Sequence, residues 1–339
     1  MLKGVTIGCG FFSRIQMESW KRVSGGEITA ACDLDAEKVA RFASDFGLRA
    51  YTQVEEMLDA EKPDFVDIAT RPATHLPLVE LTIGRGLPTL CQKPMADTWE
   101  EACNIAKVAR RAAVRLMMNE NWRWQAWYRK IGELIGGGAI GSPYFHQMQT
   151  RNRDGVGEHP YPNQPYFAEM PRLLVIETLV HHIDTARFLM GDIDEVYCQT
   201  ERLNPRIQAE DFVIITLRHA NGVRGVIDGN RAGEPDEPGP AMENTRVEGM
   251  ENTIRLRHSG DVWLGGGKVF SGEGIAGYRG DSCRATEQHF VDCLASGAEF
   301  ESEAGDYLNK TVAAVEACYR SAEENRPVRV EEIASASGV

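Results

Sequence analysis

A chain of 339 residues is longer than one hydrophobic core ordinarily serves, and its 42% hydrophobic content is enough for two domains. Lys plus Arg total 37 against 50 Asp plus Glu, a formal net charge of -13 with no basic run to follow a phosphate backbone, which argues against nucleic acid as a partner. No apolar run approaches the roughly 18 residues of a membrane helix, "MLKGVTIGCG" lacks a signal-peptide layout, and the cysteines form no C-x-x-C pair, so the expectation is a soluble cytoplasmic protein with reduced core thiols.

From residue 1 to about 121, short β-rich runs ("GVTIG", "EITAACD", "PDFVDIAT", "LPTLC", "VRLMMN") alternate with helical patterns such as "DAEKVARFASDFG", where Val39, Ala40, Ala43 and Phe46 recur at helical spacing. That alternation predicts an α/β domain, a doubly wound parallel sheet over 1–121. Beyond an amphipathic stretch at 125 to 136 and the break "GGGAIGSP", the pattern changes. One helix-like segment, "RLLVIETLVHHIDTARFLMG", leads into strand runs with a hairpin signal at Asn221 and Gly222, predicting an α+β domain over 122–339 with a large, mostly antiparallel sheet. Residues 152 to 172 and 265 to 280 read as loops, and 284 to 325 as helical.

"GCGFFS" stands between the first strand and the first helical pattern, the context a dinucleotide-binding loop requires. Gly8 allows the tight turn, Gly10 the approach of a pyrophosphate, Phe11 and Phe12 open the helix, and Ser13 replaces the usual third glycine. Asp33 ends the second strand, where a carboxylate accepts from ribose hydroxyls and repels a 2′-phosphate, so NAD is expected over NADP. The same residues also fit an ordinary turn, with Asp33 capping a helix that starts near Asp35.

"ATRPATH" follows the next apolar run and brings Thr70, Arg71, Pro72 and His75 to the carboxyl end of the sheet, where ligands bind in such folds. "TLCQKPMAD" then puts Gln92 and Lys93 where a strand runs out, against Pro94. A lysine there is either a surface residue or a group aimed at the cofactor crevice. Farther on, "IETLVHHID" spaces Glu177, His181 and Asp184 to share one face of a helix, with His182 about 100° away. A carboxylate beside an imidazole suits proton transfer near neutral pH. A packing histidine is the plainer alternative, and a metal pair from His181 and Asp184 lacks a third ligand at a recognisable spacing.

Taken together, "GCGFFS", Asp33, "ATRPATH", "QKP", "NWRW" and "ETLVHHIDTARFLMG" resemble the glucose-fructose oxidoreductase / inositol dehydrogenase / rhizopine-catabolism (Gfo/Idh/MocA) family over nearly the whole chain. "GCGFF", "CQKP" and "NENWRWQ" are similar to its D-apiose dehydrogenase branch. The resemblance implies a catalytic set of Lys93, Glu177 and His181, with Gln92 and Lys93 on the cofactor side and Asn121 and Arg123 near the substrate or the hinge. It implies NAD-dependent oxidation of a sugar or polyol hydroxyl, aldose or inositol-like. Two positions depart from the family pattern: Gln92 replaces a glutamate, and Glu177 replaces an aspartate. Arg153, Tyr166 and Asp184 complete the candidate substrate contacts. The same fold also serves NAD-sensing regulators and glycosidases that borrow NAD, and both stay open. A large antiparallel sheet needs covering, which predicts a homodimer or homotetramer through the second domain.

Overall fold

The computed structural model describes residues 1–339, the side chain of Arg279 excepted. The chain divides into two compact units, one of Met1–Asn121, Arg279–Asn309 and Ser337–Val339, the other of Trp122–Tyr278 and Lys310–Ala336. The first is built on six parallel strands, β1 (Leu2–Ile7), β2 (Gly26–Cys32), β3 (Arg49–Tyr51), β4 (Phe65–Ile68), β5 (Thr89–Gln92) and β6 (Leu116–Asn119), in the order β3-β2-β1-β4-β5-β6. Strands β4, β5 and β6 are buried along their whole length, which is why they read as continuous apolar runs without alternation. The connection reverses between β1 and β4, and the loops after those strands lie at the switch point. The short β3, "RAY", has too little pattern to be read from the sequence.

The segment 279–309, assigned above to the second domain, packs on the first. Its helix Asp281–Ser296 lies against the helix Phe11–Trp20. Phe290 meets Phe65 edge-on with ring centroids 5.5 Å apart, and Trp20 stacks on Phe65 at 5.3 Å. Helical periodicity located this element, but its partner was invisible because the apolar face says only that some core exists.

That helix also buries Glu287 completely, both carboxyl oxygens lacking a hydrogen-bond partner. Burial, and then the nearby Asp67, raise Glu287 well above the ordinary carboxylate range. Asp67 is itself pushed up to about 7 by burial, against hydrogen bonds from Trp20 and Gln16. A carboxyl that keeps its proton when folded stabilises the fold fully below the unfolded value of roughly 4, and the benefit fades as pH rises toward the folded value. The buried His146 and His182, lowered to about 3 by desolvation, work in the opposite sense, but only below the ordinary imidazole range. Above pH ~6.5, therefore, stability to urea falls with pH, by on the order of 1 kcal/mol per pH unit for each proton involved. Glu287→Gln should flatten that slope; an unchanged slope contradicts the assignment of a neutral Glu287.

The second unit carries nine strands, β7 (Pro143–Arg151), β8 (Ile193–Glu201), β9 (Phe212–His219), β10 (Arg224–Asn230), β11 (Glu243–Gly249), β12 (Thr253–Leu256), β13 (Val262–Leu264), β14 (Gly267–Phe270) and β15 (Val328–Arg329). Their order is β14-β13-β12-β11-β7-β10-β9-β8-β15, and every pairing is antiparallel except β7 with β10. The β9–β10 hairpin turns at Asn221 and Gly222 as expected, Gly222 having a φ of 91°. Strand β7 went unread because its inward positions include the buried polar residues His146 and Thr150, which hide the alternation. Strand β14 lies inside the tract read as a loop. All eight cysteines are free and buried. Among the described residues, no helix is long and apolar enough to cross a membrane.

Candidate active site

In the first unit the site begins where β1 ends. Gly8 has a φ of 101°, and a Cβ there would come within 2.5 Å of the Ala69 carbonyl oxygen, so no other residue fits. At Gly10 an added Cβ would meet no atom within 4 Å, open room in front of the first turn of the following helix. Ser13 links the loops: its hydroxyl accepts from the Gly10 N–H and donates to the Ala69 carbonyl, 3.2 Å in each case. Phe11 is half exposed at 49% and Phe12 partly so.

Asp33 supplies the charge at this end. Its Oδ2 accepts from the Cys9 N–H at 2.8 Å and from Lys38 Nζ at 2.7 Å, and its Oδ1 from the Asp35 N–H at 3.1 Å. Partial burial opposes its charge, but the hydrogen bonds from Lys38, Cys9 and Asp35 outweigh it and hold Asp33 below the usual carboxylate range. The helix cap is Asp35, which accepts from the Lys38 N–H at 3.0 Å, so the capping alternative for Asp33 is set aside.

Thr70 and Pro72 are partly exposed and Arg71 is exposed. His75 is different. It is completely buried, with Nδ1 3.1 Å from the Met95 carbonyl and Nε2 3.2 Å from that of Thr70. His75, placed above among the candidate cofactor contacts, staples the loop of Thr70 to the loop that follows Lys93. Gln92 turns its Oε1 back to accept the Lys93 N–H at 2.8 Å, and Lys93, partly exposed, follows β5 at a cis peptide bond to Pro94. Asn121 is buried and donates to Ser282 Oγ and Cys283 Sγ at 3.1 Å.

In the second unit, the segment read as one helix is two. Leu174–Leu179 forms a π-helical turn that passes into the α-helix Val180–Met190. Glu177 therefore sits on an i→i+5 turn, and its spacing to His181 is not that of one regular face; such turns recur at functional sites. Glu177 Oε2 accepts from the Thr178 hydroxyl at 2.7 Å, and that hydroxyl accepts from Arg231 Nη1 at 2.8 Å. Arg231, nearly buried, also clamps Asp154 through two bonds of 2.7 and 2.6 Å, and its guanidinium lies over the Tyr161 ring at 4.9 Å. One guanidinium thus ties the 152–172 loop to the turn that presents Glu177.

His181 is nearly buried, and its ring stacks on Trp122 with centroids 4.6 Å apart and planes 21° from parallel. Asp184 is fully buried: Arg123 grips it with two bonds of 2.6 and 2.7 Å, and Thr311 donates at 2.9 Å. Arg123, read above as near the substrate or the hinge, and Asp184, read as a substrate contact, together brace the helix carrying His181. Arg153 is exposed and paired with Glu234 at 3.0 Å, and Tyr166 sits in a short 3-10 turn with its hydroxyl accepting from Gln164 at 3.0 Å. Reading the sequence missed Arg231, Thr178 and the platform role of Trp122, although "NWRW" had marked the segment as unusual.

Residues 2–120 match the Gfo/Idh/MocA family model described as an oxidoreductase family with an NAD-binding Rossmann fold, and residues 128–255 match that family's C-terminal domain. The chain is 36% identical to a D-apiose dehydrogenase of Paraburkholderia graminis over 98% of its own length and 90% of the relative's. It is 34% identical to a D-apiose dehydrogenase of Rhizobium rhizogenes, covering 97% of each chain. An oxidoreductase from Agrobacterium radiobacter, solved in complex with NAD+, L-tartaric acid and magnesium, superposes with a TM-score of 0.89 at 34% identity, over 98% of this chain and 99% of that one.

Proposed function

The chain belongs to the Gfo/Idh/MocA family of NAD-binding oxidoreductases, and on that premise we propose that it oxidises a CH–OH carbon of a sugar or polyol, D-apiose foremost, with NAD as the hydride acceptor. The observation that carries the reading is near-full-length similarity to two D-apiose dehydrogenases in a chain that keeps Lys93 and His181.

The first unit's residues fit the dinucleotide. Gly8 and Gly10 leave the backbone open before a helix N-terminus, and ionised Asp33, accepting three hydrogen bonds, has one acceptor position left for a ribose hydroxyl. Lys93 holds the substrate hydroxyl and polarises its O–H bond. His181, flat against Trp122, takes up the hydroxyl proton, while Glu177, oriented by Thr178 and Arg231, lends negative charge to the imidazolium that forms. The product is a lactone if the carbon is anomeric and a ketone otherwise. The assembly is a homodimer or homotetramer through the second sheet.

Purified protein is to be offered NAD or NADP with D-apiose, common aldoses, polyols, inositols and L-tartrate, and cofactor reduction followed by absorbance. The expected result is reduction with D-apiose or a related sugar, NAD outperforming NADP by roughly tenfold or more because Asp33 repels a 2′-phosphate. Lys38, paired with Asp33 at 2.7 Å, offsets part of that repulsion. Equal use of both cofactors contradicts the role of Asp33, and reduction with L-tartrate alone shifts the substrate class to hydroxy acids.

A further inference from the structure

Beside Trp122 lies a buried carboxyl that the proposed reaction does not use. Glu243, on β11, is fully buried, and its Oε1 accepts from the Tyr128 hydroxyl at 2.6 Å and from the Trp122 indole N–H at 3.1 Å. The Tyr128 hydroxyl also lies 3.1 Å from Thr245 Oγ1. Oε2 of Glu243 has no hydrogen-bond partner, nor does Nε2 of His182, and the two atoms face each other at 3.8 Å. Leaving both buried and unsatisfied is costly, and a small side-chain adjustment brings them into a direct bond.

The protonation states follow from chemistry. His182 Nδ1 lies 3.3 Å from the Thr178 carbonyl, which can only accept, so Nδ1 carries the proton and Nε2 presents a lone pair. An ionised Glu243 would set a second acceptor against it. A charged pair is the alternative, but burial pushes Glu243 up to about 7 and burial together with His181 pushes His182 down to about 3, both toward neutral forms.

We propose that Glu243 is the positioning residue for His181: a neutral acid that donates its Oε2–H to His182 Nε2 while its Oε1 fixes the Trp122 indole on which the His181 ring lies. Adjacent helix residues point about 100° apart. Holding His181 through the indole and His182 directly therefore fixes the roll of the helix about its axis, and with it the direction of the His181 ring. The groups facing Glu243 are the Tyr128 hydroxyl, the Trp122 N–H and the His182 imidazole; the first two donate and favour the carboxylate, and complete burial outweighs them. The inference rests on the assignment of His181 as the proton-transfer group.

The test combines two readouts on the full-length protein. Histidine nitrogen NMR near pH 6.5 should show His182 as the Nδ1–H tautomer with Nε2 hydrogen-bonded, a signature lost in Glu243→Leu; an Nε2–H tautomer or an imidazolium overturns the proposal. In kinetics, Glu243→Leu should lower kcat roughly 10- to 100-fold with KM changed less than about threefold, as a misaimed group does. Glu243→Gln, which keeps an acceptor for Trp122 and a donor for His182, should restore kcat and abolish the part of its decline above pH ~7 that follows ionisation of Glu243. A Leu variant with wild-type kcat, or a Gln variant with the wild-type pH profile, overturns it. Should the Leu variant not fold, the Gln profile and the wild-type tautomer decide alone. If His181→Asn turns over normally, the reading of His181 falls, while the tautomer still reports on the Glu243 network.

Discussion

Lys93→Met should lower kcat by about a thousandfold or more while NAD binds within roughly threefold of wild type, and His181→Asn should lower it by about 100- to 10,000-fold. In the proposed reaction both residues act on the proton of the substrate hydroxyl, so their removal takes away stabilisation that arises only as that proton moves. Neither change touches the features proposed to receive the dinucleotide, which are the Gly8 turn, the open position at Gly10 and the Asp33 carboxylate. The double variant should be scarcely worse than the poorer single one, because groups that serve one step do not multiply. Thr178→Val should cost less, on the order of tenfold, by releasing the Glu177 carboxylate from the hydroxyl that donates to it at 2.7 Å. Stopped-flow turnover with quenching of protein fluorescence by NAD checks all of these. A Lys93→Met variant with nearly normal kcat and a large rise in KM would make Lys93 a binding residue only.

Asp184→Ala should destabilise the second unit by about 3–5 kcal/mol. Arg123 and Asp184 are buried to 8% and 0% side-chain exposure, and two short, parallel hydrogen bonds join them. Cutting away the carboxylate takes these two bonds from a buried guanidinium that cannot lose its proton, and removes the acceptor of the Thr311 hydroxyl, which keeps only its bond from Arg187. The cost lies in the stranded charge more than in the lost pair. A paired replacement, Arg123→Met with Asp184→Leu, should accordingly recover most of the stability. Urea unfolding of the four proteins checks this. Additive losses in the double variant would show that the pair is net stabilising, contrary to the expectation here. Because the brace holds the helix that carries His181, the recovered double variant should still have a depressed kcat.

What the sequence disclosed best were features written locally. The Gly8 turn, the position of Asp33 at the end of β2 and the Asn221–Gly222 hairpin each depend on a few adjacent residues, and each was found where expected. Features set by distant partners were not legible. Nothing near Asp184 in sequence announces Arg123, and the buried carbonyl that meets His75 Nδ1 comes from Met95, twenty residues on. Glu177 shows a subtler failure: helical spacing was the correct first expectation, but the chain winds through a π turn there, and no periodicity signals one extra residue. Strand β7 hid for a related reason, since an inward His146 bonded to His219 at 2.9 Å reads as polar in a one-dimensional pattern. Arg231 escaped because its partners Asp154 and Thr178 stand far from it along the chain.

The most direct measurement follows the hydrogen itself. The sugar that supports turnover is to be deuterated at the oxidised carbon, and the reduced cofactor isolated and weighed by mass spectrometry. The account predicts one deuterium in the reduced cofactor per turnover, and loss of the label together with turnover in Lys93→Met. A substrate consumed without reduced cofactor, or reduced cofactor carrying no deuterium, would contradict direct hydride transfer from the sugar carbon and turn attention to a glycosidase that returns its hydride or to an NAD sensor.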